Sequence, residues 1–318
     1  MPLNDIKIDL NNINPQEFFG DQNINLNKLR SSFPKLKLVA RGNLLRAYGD
    51  PQVLNQFKGC VNSLIDYFGI YNSLDSKFIE EVVSSKNNID FSKYKEESES
   101  IILHGVNGKI IKALTLNQIK LVKTIKNNSL IFAIGPAGTG KTYTAISMAV
   151  KALKEREVKR IILTRPAVEA GENLGFLPGD LKDKLDPYMQ PLYDSLKDMI
   201  PQAKLISYIE KGIIQIAPLA FMRGRTLDNA FVVLDEAQNT THAQMKMFLT
   251  RMGKNAKFIL TGDPGQIDLP KKVLSGLTEA LFILKNIKGI EIINLDERDI
   301  IRHKLVDKIV KAYKKKND

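Results

Sequence analysis

A chain of 318 residues, 43% hydrophobic and 26% charged, is long enough for one large domain or two ordinary ones and has the composition of a globular protein. No run approaches the ~18 apolar residues of a membrane span, and the polar, acidic start lacks the pattern of a secretory leader, so a cytoplasmic location is expected. The single cysteine, Cys60, excludes an internal disulfide and a cysteine-based metal cluster, and its place in an apolar helical stripe reads as core. A net charge of +12 favours a polyanionic partner, although a coding bias toward Lys and Asn would give the same excess.

Leu36 to Arg41 and Leu44 to Tyr48 read as short strands around a Gly42-Asn43 hairpin turn. Asp50 reads as a helix N-cap with Pro51 in the first turn. Val53, Leu54, Phe57, Cys60, Val61, Leu64 and Phe68 follow at helical spacing, and Gly69 is expected to stop the helix. A second helix over Ser76 to Ser84 turns Phe78, Ile79 and Val82 inward. Residues 1–95 thus read as a small α+β module, and the polar, charge-dense stretch from 86 to 100 as a linker.

Residues 96–318 read differently, as apolar strands alternating with helices. Continuous runs of this kind argue for a mostly parallel sheet covered on both faces, an α/β fold. The run Leu130 to Ile134 leads into Gly135-Pro136-Ala137-Gly138-Thr139-Gly140-Lys141-Thr142, and a helical pattern starts at Thr142. Glycines let the backbone close around an anion so that N–H groups and the helix N-terminus face phosphates. Lys141 is placed to reach the β- and γ-phosphates, and Thr142 to offer its hydroxyl to Mg²⁺. Ahead of the loop, Gln118 carries an amide that matches N6 and N7 of adenine, or serves as a polar helix start.

Later strands are expected at 161–163, 213–216, 231–234, 258–260 and 290–295. Phe231 to Leu234 ends in Asp235-Glu236, the pattern in which Asp235 holds Mg²⁺ and Glu236 activates an attacking water. Phe258 to Leu260 runs into Thr261-Gly262-Asp263-Pro264-Gly265-Gln266, where Gln266 is placed to sense the γ-phosphate or position the water. Arg165, Arg223, Arg225, Arg251 and Arg302 are candidates for the charge that stabilises a transition state, and sequence does not choose among them. The three histidines are too scattered for a metal site.

Taken in order, these motifs resemble the PhoH-like family of phosphate-loop ATPases. The resemblance is carried by the loop, Thr164-Arg165-Pro166-Ala167-Val168-Glu169-Ala170-Gly171, Leu174 to Asp180, Phe221 to Thr226, Leu234-Asp235-Glu236-Ala237-Gln238-Asn239 and Thr261 to Pro264. The same order is similar to the first motor domain of superfamily-1 helicases. The resemblance implies a RecA-like domain that binds ATP and Mg²⁺ and hydrolyses ATP. It also implies work on RNA metabolism or ribosome maturation alongside an endoribonuclease, and a small KH-like domain ahead of the ATPase. Two departures stand out. Too few residues follow the last strand for a second motor domain, so a homo-oligomer with sites completed between subunits is expected. The N-terminal module shows no Gly-x-x-Gly loop to clamp an RNA backbone. A nucleotide-gated scaffold with little turnover is the alternative, in which the basic tail at Lys308, Lys311 and Lys314 to Lys316 serves docking. A small-molecule kinase is disfavoured by Glu236.

Overall fold

The computed structural model describes residues 4–10, 13–71, 74, 76–84, 100–166, 181–270, 272–302 and 305–306. It divides into two units, Met1–Ile110 and Ile111–Asp318. The division falls later than the 95/96 boundary expected from composition. A polar linker is visible in sequence, whereas the unit that the next strand joins is decided by contacts. Apart from Ser100, the expected linker lies outside the described residues.

In the first unit β1 (Asn4–Asp9) is followed by the short helix α1 (Pro15–Phe19) and α2 (Ile24–Ser32). β2 (Lys37–Arg41) and β3 (Leu44–Gly49) then form the expected hairpin. The sheet is antiparallel in the order β1-β3-β2. Period-two alternation turns Ile8, Leu38, Leu45 and Ala47 into a core shared with Phe18, Phe57 and Leu64. Cys60 is buried in this core, as its helical position implied.

The helix α3 (Pro51–Tyr71) begins as expected, with Asp50 Oδ1 accepting from Gln52 N at 2.9 Å. It then runs through Gly69, which was expected to end it. Gly69 is not among the glycines at positive φ, and the last turn is held by aromatic packing instead. Tyr67 stacks on Phe78 of α4 (Ser76–Ser84) with ring centroids 3.8 Å apart, and also meets Tyr71 at 4.3 Å. Here tertiary contact overrides a local stop signal. Two short strands, β4 (Ile101–His104) and β5 (Ile110–Lys112), pair as a separate ribbon.

The second unit is built on six parallel strands in the order β11-β6-β10-β9-β7-β8. These are β6 (Leu130–Ile134), β7 (Arg160–Arg165), β8 (Ile214–Pro218), β9 (Ala230–Leu234), β10 (Lys257–Gly262) and β11 (Ile290–Asn294). Helices α5 (Leu116–Asn127), α6 (Lys141–Lys154), α7 (Leu181–Lys197), α8 (Gln202–Glu210), α9 (His242–Leu249) and α10 (Gly276–Ile283) accompany it. β6 and β9 are buried along their whole length, which accounts for continuous apolar runs in place of alternation. The order matters for function. β6, which feeds the glycine-rich loop, and β9, which ends in acids, are separated by β10. Three strand ends therefore open side by side, spanning about 10 Å at ~4.8 Å per strand.

Candidate nucleotide site

Gly135 leaves β6 at φ 154, and its N–H donates to Gly262 O of β10 at 3.1 Å. On the other side Leu295 N donates to Ile134 O at 2.7 Å. A Cβ at Gly135 would stand 2.3 Å from Leu295 O, so only glycine fits where the chain turns away from the sheet. Gly140 is the N-cap of α6 at φ 75, and Thr139 is fully buried beneath it, its hydroxyl donating to Pro136 O at 2.9 Å. The loop thus ends on a helix N-terminus whose free N–H groups face the cleft.

Lys141 is buried and turned back on the loop, its Nζ donating to Gly135 O at 2.6 Å and Pro136 O at 2.7 Å. Burial lowers its pKa, and the carboxylates of Asp263, Glu236 and Asp235 pull it the other way. Phosphate oxygens in the loop would offer this ammonium stronger, charge-assisted acceptors than the two carbonyls it now uses.

The acids sit opposite. Asp235 is 2% exposed, and its Oδ1 accepts from Thr142 Oγ1 at 2.6 Å and Thr261 Oγ1 at 2.7 Å. Arg165, at the end of β7, donates through Nε to Asp235 Oδ2 at 2.8 Å and through its NH2 nitrogen to Glu236 Oε1 at 3.2 Å. Its remaining nitrogen donates to Tyr188 O at 2.8 Å, so the fork is held from both sides. Glu236 adopts a left-handed conformation (φ 54, ψ 39), which costs about 1–3 kcal/mol for a residue with a side chain. The side chain is half exposed toward the cleft, unlike that of Asp235.

Gln238 is the residue that sequence reading passed over. Its Nε2 donates to Glu236 Oε2 at 2.6 Å and to Gln266 O at 3.2 Å, while its Oε1 accepts from Asp263 N at 3.0 Å. One buried amide therefore ties the acidic strand end to the turn after β10. The signal was present in the Asp-Glu-Ala-Gln run, but nothing in spacing alone shows that this side chain turns back. Gln266 reaches the same cleft, a cavity of about 300 Å³ lined also by Gly138, Lys141, Thr142, Arg165 and Glu236.

Gln118 lies behind the loop. It is 3% exposed, its Oε1 accepts from Leu114 N at 2.7 Å, and its Nε2 donates to Thr139 O at 2.9 Å. The amide oxygen and one amide N–H are thus engaged within the chain, and the residue supports the loop from beneath. A strap after β11 braces the other flank. Asn117 donates to Asp299 Oδ2 at 2.8 Å, Ile301 N to Gly138 O at 2.9 Å, and Arg302 to Ala137 O at 3.1 Å.

The structure sorts the five arginines. Arg165 enters the site and Arg302 touches the loop. Arg225 is committed to Gln215 at 2.6 Å, Arg251 to Met247 O at 3.1 Å and Arg225 O at 3.2 Å, and Arg223 is exposed. The signature stretch from Ala167 to Asp180 and the basic tail from Lys308 lie outside the described residues.

A parallel sheet with a glycine-rich loop opening a helix, and an acidic strand end beyond the neighbouring strand, defines a phosphate-loop nucleotide-binding domain. A family model described as "PhoH-like protein" matches residues 110–314. The chain belongs to that family. It is 50% identical over 312 residues to a PhoH-like protein of Bacillus subtilis (strain 168), covering 96% of each chain. A PhoH-like protein of Synechocystis sp. is 44% identical over 282 residues, 88% of this chain and 85% of the relative. Protein PhoH of Escherichia coli (strain K12) is 46% identical over 199 residues, 62% of this chain and 56% of that one. Among solved structures, the UvsW helicase from bacteriophage T4 is similar at 15% identity and TM-score 0.39, covering 76% of this chain and 78% of that chain. That likeness is too low for anything to be transferred from it.

Proposed function

We propose that this protein is a Mg²⁺-dependent ATPase that couples hydrolysis to RNA metabolism or ribosome maturation in the cytoplasm. The observation that carries the reading is the convergence of Thr142 and Thr261 on Asp235, beside a Glu236 that Arg165 and Gln238 hold in a strained conformation. The donor set fits a hard divalent cation. Thr142 Oγ1 and Asp235 Oδ1 are adjacent oxygens at the mouth of the loop, the type of ligand that Mg²⁺ takes. Among the described residues no cluster of three His, Cys, Asp or Glu could hold a metal alone. Nucleotide phosphates and water would complete the shell, as is usual for Mg²⁺. When bound, the ion neutralises charge on the β- and γ-oxygens.

The chain's own groups supply the rest. Lys141 leaves its carbonyl partners for the phosphates. Glu236 takes the proton of an attacking water, and Arg165 holds its carboxylate toward the cleft. Gln266 reports on the γ-phosphate. RNA and an RNA-processing endoribonuclease are the partners this reading takes, the charge of +12 favouring a polyanion. In this reading a neighbour's arginine completes each site in a homo-oligomer, since Arg165 is already committed to Asp235 and Glu236.

Release of inorganic phosphate, measured with and without RNA, tests the reading. Glu236→Gln is expected to leave ATP binding near normal and to lower turnover by about 10²-fold or more. Wild-type turnover that RNA does not stimulate would point instead to a nucleotide-gated scaffold. Unchanged turnover in Glu236→Gln would remove this carboxylate from the chemistry.

A further inference from the structure

The first unit carries a surface that the nucleotide site does not use. Alternation buries Leu38, Leu45 and Ala47 and places Lys37, Val39 and Arg41 of β2 and Leu44, Arg46 and Tyr48 of β3 on the opposite face. These six residues line an open cleft of about 420 Å³. In register, Lys37 lies across from Tyr48 and Val39 from Arg46, and Lys7 of β1 lies across from Arg46 on its other side. Lys7, Lys37 and Arg41 are exposed, and Arg46 and Tyr48 are half-buried.

Among the described residues none of these four cations has an ion pair or a side-chain hydrogen bond. Like charges directly opposite, as in Lys7 and Arg46, weaken a sheet. Two acids share this face, Asp5 across from Tyr48 and Asp9 across from Leu44, both on the β1 flank, whereas β2 and β3, which line the cleft, carry none. The β2–β3 part of the face, which lines the cleft, is thus a cationic strip with an aromatic ring set into it.

That combination has a chemistry. A single strand presents phosphates to cations and unstacked base faces to an aromatic ring, whereas a duplex keeps its bases out of a ring's reach. We propose that this open face of the three-stranded sheet docks single-stranded RNA, with Lys37, Arg41 and Arg46 on phosphates and Tyr48 stacked on a base. The proposal rests on the RNA reading given above and places the contact on a sheet face, in a module without a Gly-x-x-Gly loop.

The test uses the full chain and a fluorescein-labelled oligouridylate of about 20 nucleotides, with anisotropy followed between about 50 and 200 mM salt. The triple variant Lys37→Gln, Arg41→Gln, Arg46→Gln is expected to bind about tenfold or more weakly. The slope of log affinity against log salt is expected to fall by about two, at ~0.7 per phosphate contact on a single strand. Tyr48→Ala is expected to lose about fivefold or more, and Tyr48→Phe to keep wild-type affinity. Basal phosphate release without RNA should be unchanged in all of them, and Cys60, buried in the first unit, should stay unreactive to a thiol reagent, which confirms that this unit is folded. Wild-type affinity and slope in the triple variant would overturn the proposal while leaving the RNA reading intact. A wild-type chain that binds no oligouridylate would overturn both. Equal affinity for oligodeoxythymidylate would overturn the assignment to RNA.

Discussion

Arg165 and Asp235 form a nearly enclosed ion pair, Nε to Oδ2 at 2.8 Å, with side chains 17% and 4% exposed. The same guanidinium reaches Glu236, so one residue at the end of β7 sets the position of both acids at the end of β9. A planar fork can do this because its donors are fixed in direction.

Arg165→Ala is therefore expected to act twice. It leaves Asp235 buried without its countercharge, a loss of about 3–5 kcal/mol for pairs of this kind. It also frees Glu236, so kcat for phosphate release should fall by more than ATP affinity does. Arg165→Lys, which keeps the charge but not the fork, should recover stability more than kcat. Chemical denaturation and steady-state kinetics on the two variants separate these effects. Equal recovery of both by lysine would mean that charge alone matters.

Glycine positions give a matched pair of outcomes. At Gly135 an added methyl group meets the Leu295 carbonyl at 2.3 Å, and backbone cannot yield as a side chain can. Gly135→Ala should abolish nucleotide binding and destabilise the second unit by more than ~1 kcal/mol. At Gly69 nothing lies within 4 Å of such a methyl, and the residue is inside α3. Gly69→Ala should stabilise the first unit by about 0.5–1 kcal/mol. Thermal unfolding followed in both variants reads the two signs directly.

What sequence revealed follows from where the constraints are local. The loop from Gly135 to Thr142, the acids at Asp235 and Glu236, and the six parallel strands each carry their signal in a short window, and each is where it was expected. The hairpin around Gly42-Asn43 was legible for the same reason. β1, α1 and α2 were not anticipated, because Asn-rich segments have weak periodicity and gain their order by packing Phe18, Leu26 and Leu29 into the core. Gln238 and the strap at Asp296 to Arg302 were opaque for another reason. Their partners lie on other strands or many residues away, and a side chain's partner is a property of the fold.

Cys60 offers a pH-dependent readout of the first unit. Burial raises its thiol pKa from 9.0 to about 12. The folded chain therefore keeps a proton that the unfolded chain loses. Below about pH 9 both states hold it and stability is unaffected. Between about pH 9 and 12 stability falls, by at most ~1.4 kcal/mol per pH unit. Urea unfolding at two alkaline pH values should show a steeper loss in wild type than in Cys60→Ala, a comparison that cancels other groups titrating there. A thiol reagent should label Cys60 only on unfolding, and rapid labelling of the native chain would contradict its burial.

Gln118 distinguishes two roles that sequence left open. As an adenine contact it would confer a preference for ATP over GTP, and its loss would lower ATP affinity alone. As the structure places it, the amide bridges the part-buried Leu114 N and the buried Thr139 O, and its loss leaves the Thr139 carbonyl unsatisfied beneath the loop. A buried unsatisfied group costs about 1–3 kcal/mol, and the loop loses the brace that keeps its N–H groups convergent. Gln118→Ala should therefore weaken ATP and GTP by similar factors, about tenfold or more. Titration of both nucleotides against the variant decides the matter. A collapse of the ATP-to-GTP ratio with unchanged GTP affinity would return Gln118 to base recognition, whereas a parallel loss fixes it as the loop's support.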